Sequence, residues 1–60
     1  MDETDKKEVL EYLDKAYRAL CDAQETLEEA GFPALLAAEA DNLQSMVLAL
    51  TSKVSEAKPS

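Results

Sequence analysis

LEEAGFPALL, residues 27–36, decides the fold of this chain. Gly31 is the only glycine. It suits the left-handed position just past a helix C-terminus, where a Cβ would be strained. Phe32 follows and is placed to touch Leu27, the apolar contact that accompanies a Schellman ending. Pro33 cannot continue the first helix but suits the start of a second. The stretch therefore predicts a helix that stops, a tight turn over residues 31–33, and a helix that begins again.

Both flanks carry helical periodicity. Upstream, Leu10, Leu13, Tyr17, Leu20, Gln24 and Leu27 step by three and four, a heptad seam with one polar member at Gln24. Beside it run Val9, Ala16, Ala23 and Ala30 at a spacing of seven. These small residues widen the expected apolar arc and let another helix approach closely. Downstream, Leu36, Ala40, Leu43, Val47, Leu50 and Val54 form the matching seam, broadened by Leu35 and Met46. Folded back at the turn, the seams pair as Leu27/Leu36, Gln24/Ala40, Leu20/Leu43, Tyr17/Val47, Leu13/Leu50 and Leu10/Val54 without a slip. Turn chemistry and long-range pattern agree, as expected of a foldable sequence. The fold class is all-α: an antiparallel hairpin in a single domain over residues 1–60, with helices at about 4–30 and 33–57 and a short disordered tail at Pro59 and Ser60. At the other end, Thr4 or Asp5 is the expected N-cap, and Asp5 with Glu8 resembles a capping box. Glu11–Lys15 and Asp14–Arg18 are acid-first i,i+4 pairs on the far side.

A chain of 60 residues buries only about 60% of its unfolded surface and is marginal alone. Small domains gain stability from disulfides, metals or oligomerisation. Cys21 is the single cysteine and there is no histidine, so an intrachain disulfide and a zinc site are excluded. Oligomerisation remains. The apolar arc is wider than one partner helix can cover, and two hairpins about a two-fold axis would close a four-helix bundle. The second helix is the expected central contact, because residues 42–52 carry no charge and charge is depleted at interface cores. The expected interface residues are Tyr12, Ala16, Ala23, Gln24, Leu35, Met46 and Leu48. A hairpin that docks on a different protein is the rival reading.

Thirteen acids against six bases give a net charge of −7, which repels nucleic-acid phosphates and anionic membrane surfaces. Asp2, Glu3, Asp5, Glu8, Glu11, Asp14, Asp22, Glu25, Glu28 and Glu29 crowd the first half. Lys6, Lys7, Lys15, Arg18, Lys53 and Lys58 form no stripe. No direct nucleic-acid or membrane binding is expected. The longest uncharged run is far short of the roughly 18 residues of a membrane span. The acidic start has no apolar segment behind it, so a cytoplasmic address is expected.

No catalytic, metal or cofactor site is expected. Cys21 reads as a small apolar residue beside the seam rather than a redox switch. Gln24 either fixes register, as buried polar residues do in coiled coils, or reaches to the edge. Glu25, Glu28 and Glu29 read as a solvated face, since Glu28 and Glu29 point about 100° apart. Tyr17 belongs to the seam and Tyr12 lies outside it, the better partner contact. In length, turn position and heptad seams the chain is similar to the Rop-like plasmid regulators, helical hairpins that dimerise into four-helix bundles and bind paired RNA loops. No motif of theirs recurs residue by residue, so no RNA-contacting position is carried over. The expected function is a non-enzymatic interaction module or small regulator acting as a homodimeric bundle. The alternative is an acidic inhibitor that occupies a basic nucleic-acid-binding groove on a target protein.

Overall fold

Two helices, α1 (Glu3–Glu29) and α2 (Ala34–Glu56), pack antiparallel as a hairpin with Cα extents of 45 × 14 × 10 Å. This is a computed structural model, and it describes residues 3–57. The expected tail at Pro59 and Ser60 lies outside the described residues.

The turn is the Schellman motif that residues 27–36 imply. Gly31 has φ 79°. Its N–H donates to the Glu28 carbonyl at 3.2 Å, and the Phe32 N–H donates to the Leu27 carbonyl at 3.0 Å. These bonds satisfy carbonyls that a helix end leaves open. Pro33, extended at φ −54° and ψ 141°, is the N-cap of α2 rather than its first helical residue. Its carbonyl accepts the Leu36 N–H at 3.0 Å. The ring supplies no side-chain cap, and the first turn of α2 has no acid to meet the dipole.

At the open end the N-cap expectation is corrected. α1 has already begun at Glu3, so Thr4 and Asp5 lie inside its first turn rather than at its N-cap. α2 is closed by its C-cap residue Ala57, which is extended at φ −71° and ψ 144°. Its N–H reaches the Lys53 and Val54 carbonyls at 2.9 and 3.2 Å. Lys6 Nζ crosses from α1 to donate to the Ala57 carbonyl at 3.0 Å. One cation thus ties the first turn of α1 to the negative end of α2.

The expected seam of α1 is its inward face. Leu10, Leu13, Tyr17, Leu20, Gln24 and Leu27 are all partly buried, with Lys6, Val9 and Cys21 beside them. The seam of α2 is corrected. The residues turned toward α1 are Ala37, Ala40, Gln44, Val47, Thr51 and Val54. Ala40, Val47 and Val54 belong to the expected set, but Leu36, Leu43 and Leu50 are exposed. Gln24 meets Gln44, not Ala40. The physical reason is size. Alanine, threonine and valine let the helix axes close together, so α2 presents its small stripe to α1 and turns its leucines outward. Ala37 and Ala40 are the buried hydrophobic residues, and no large side chain among the described residues is fully buried.

Candidate interaction surface

Helical geometry places the exposed residues. At about 100° per residue, Leu36, Leu43 and Leu50 lie roughly 60–80° to one side of the inward line of α2, with Met46 and Leu35 further round. On α1, Ala16, Ala23 and Ala30 lie a similar angle to the same rotational side of the inward line, with Tyr12 beyond them. The helices are antiparallel, so the same sense of rotation brings both sets to one broad face of the hairpin. Leu35 is 70% exposed, Met46 66%, Tyr12 64% and Leu43 48%. Ala16, Ala23 and Ala30 are open to solvent as well. The stripe of small residues therefore widens an exposed face and not the buried one. Phe32 stands exposed at the turn end.

Five of the residues singled out from the sequence share this face: Tyr12, Ala16, Ala23, Leu35 and Met46. Two do not. Leu48 is half-exposed but lies on the opposite side of α2, above its polar flank. Gln24 lies between the helices.

There Gln24 joins a polar cluster that the hydrophobic pattern does not reveal. Gln44, buried on α2, donates through Nε2 to Gln24 Oε1 and to the Leu20 carbonyl at 3.4 Å. Its Oε1 accepts from the Cys21 thiol at 3.4 Å. Gln24 Nε2 in turn reaches Glu28 Oε1 at 3.5 Å. No buried side-chain nitrogen or oxygen among the described residues is left without a partner, so the cluster avoids the cost of an unpaired polar group. Gln44 was missed because the larger Leu43 beside it completes a seam of the same spacing. The signal that could have found it is the run Ala37, Gln44, Thr51, a second heptad line built from small and polar residues.

Tyr17 adjoins the cluster. Its hydroxyl is held above its ordinary pKa of 10.0, first by the charge of Cys21, then by a hydrogen bond with that thiol, by desolvation and by the Asp41 carboxylate. Cys21 and Asp41 thus mark the side of the hairpin opposite the apolar face.

The far side of α1 carries the solvated charge. Arg18 Nε pairs with Asp14 Oδ2 at 3.2 Å, as their spacing implies. Lys15 lies over the Tyr12 ring, 5.7 Å from its centroid, and not on Glu11. Such a contact at an exposed site contributes about 0.5–1 kcal/mol. Glu11, Asp22, Glu25 and Glu29 project to solvent. Among the described residues no three His, Cys, Asp or Glu side chains converge as metal ligands, and no helix is long and apolar enough to cross a membrane. No protein-family model, curated protein or solved structure matches the chain.

Proposed function

We propose that this chain is a non-enzymatic interaction module or small regulator that works in the cytoplasm as a homodimeric four-helix bundle. The observation that carries the reading is the apolar face: Leu35, Leu36, Leu43, Met46 and Leu50 stand exposed while the hairpin's own seam buries two alanines. A folded domain needs several kcal/mol of net stability. Burial contributes about 25 cal/mol per Å² of apolar surface, and most of the large apolar side chains of α2 gain little of it within one hairpin. A second layer supplies that burial, and the outer surface of the bundle, rich in carboxylates, is then free for a partner. Sedimentation equilibrium tests the reading, with an expected mass twice the 6.6 kDa of the chain. A monomer mass at all concentrations up to the millimolar range would refute it.

The exposed carboxylates Glu11, Asp22, Glu25 and Glu29 favour a second reading, an acidic inhibitor seated in a basic groove of a nucleic-acid-binding protein. Binding to a basic target that double-stranded DNA competes away would support this reading, and binding indifferent to DNA would not.

A further inference from the structure

We propose that the apolar face is covered by a second copy of this chain, related by a two-fold axis parallel to the helices, so that both turns lie at one end and α1 of each copy packs on α2 of the other. The inference rests on the dimeric reading and adds its topology.

Relative height is fixed by two bonds within the hairpin. Gln44 Nε2 reaches the Leu20 carbonyl and Lys6 Nζ reaches the Ala57 carbonyl, so position 20 lies close in height to 44 and position 6 to 57. On that scale Leu36 falls between Ala30 and Ala23, Leu43 between Ala23 and Ala16, and Leu50 between Ala16 and Val9. A two-fold axis along the helices preserves height. Each leucine of one copy then enters the gap between two small residues of the other, the knob-and-hole arrangement of packed helices. The height match is not a property of either stripe alone.

The other face-to-face arrangement puts the turns at opposite ends. It sets α1 on α1 and α2 on α2. Alanine would then meet alanine, leucine would meet leucine, and the helix spacing would differ between the two sides of the bundle. The acid-rich α1 would also lie along its own copy, where like charges destabilise. With the turns together, α1 lies against the nearly neutral α2. Glu8 and Lys53, at the two outer edges of the face and close in height, then meet at the rim with opposite sign. The face measures 45 × 14 Å between Cα atoms, before side chains add width, which is on the scale of the roughly 800 Å² per partner of a standard interface.

Double electron–electron resonance on Ala34→Cys, spin-labelled in a Cys21→Ala background, tests the topology. Ala34 is exposed, begins α2 beside the turn and points away from the apolar face. Circular dichroism and sedimentation confirm that the labelled chain is helical and set its mass. Turns at one end give a distance of about 25 Å, the width of a bundle with helix spacings of about 10 Å. Turns at opposite ends give about 35–40 Å, from a rise of about 1.5 Å per residue. The longer distance overturns the topology and leaves the dimer standing. Absence of any dipolar signal, with a monomer mass, overturns both. A size exchange gives a second readout. Ala23→Leu fills the hole beside Leu43 and weakens association about tenfold, which is about 1.4 kcal/mol. Adding Leu43→Ala to it relieves the clash and restores part of the affinity. A double variant weaker than Ala23→Leu alone would overturn the pairing of these two positions.

Discussion

Gly31 has open space where a Cβ would stand, so its requirement is one of backbone and not of room. At φ 79° a β-branched side chain is strained against its own carbonyl. Gly31→Val is therefore expected to cost about 1 kcal/mol or more, and Gly31→Asn clearly less, since asparagine tolerates the left-handed region. Equal melting temperatures for the valine and asparagine variants would show that φ does not control this turn. Gln44 makes the opposite kind of demand. Its amide serves Gln24, the Leu20 carbonyl and the Cys21 thiol at once. Gln44→Ala leaves Gln24 Oε1 without its donor and opens a gap, at an expected cost of about 1–3 kcal/mol. Gln24→Leu with Gln44→Leu removes both partners and should cost much less, measured by thermal melts of the two variants beside the parent chain. Tyr17 supplies a pH signature. Because its pKa is raised in the folded chain, the folded state keeps the phenol proton longer than the unfolded state does. Its contribution is fully present below pH 10.0, the unfolded value, and is lost as pH rises through the higher folded pKa. A 295 nm titration of Tyr12→Phe should show a higher midpoint folded than in denaturant. Coincident midpoints would refute the contact with Cys21.

At the scale of the helix, Leu43 separates folding within a hairpin from assembly between hairpins. Read as a seam residue it should hold α1 and α2 together, and its loss should break core and assembly alike. It is 48% exposed, on the outer face, so Leu43→Asp leaves the contact between α1 and α2 intact and strikes the covered face, where an unpaired carboxylate is costly to bury. The expected result is a monomer mass, with the reduced helicity of a hairpin that lacks its second layer and no dependence of that helicity on concentration. Retention of the dimer would place Leu43 outside the interface. The contrast between the helices explains what could be read from the sequence and what could not. α1 has one line of large apolar residues, from Leu10 to Leu27, and a charged far side, so periodicity identifies its inward face. The turn was equally readable, because Gly31, Phe32 and Pro33 each have one conformational role. α2 has two candidate lines offset by one residue, Leu36, Leu43, Leu50 and Ala37, Gln44, Thr51. A reading weighted by hydrophobicity selects the leucines. Close packing against α1 selects the smaller line. The interface candidates inherited the same ambiguity: Met46 and Leu35 follow the leucine line, whereas Leu48 belongs to the other flank.

Over the whole molecule, charge opposes assembly. A net charge of −7 on 60 residues doubles when two copies meet, and the only cations outside the first half are Lys53 and Lys58. The carboxylates of α1 lie on the outer surface, separated from those of the second copy by distances comparable to the width of a bundle. Their repulsion is therefore long-range and sensitive to salt. The Debye length falls from about 30 Å at 0.01 M to about 10 Å at 0.1 M, which spans that width. Screening should relieve the repulsion while leaving apolar burial almost unchanged, so the melting temperature at fixed protein concentration is expected to rise over this range of sodium chloride. The rim pair of Glu8 with Lys53 works the other way, but a single exposed pair contributes about 0–1 kcal/mol and cannot reverse the sign. Protein concentration provides the control. Stability linked to association rises with concentration, so salt should shift the whole series of melts upward and reduce the concentration needed for half-association. A melting temperature that falls with added salt would mean that ion pairs hold the chains together, and the apolar face would then not be the surface that drives assembly.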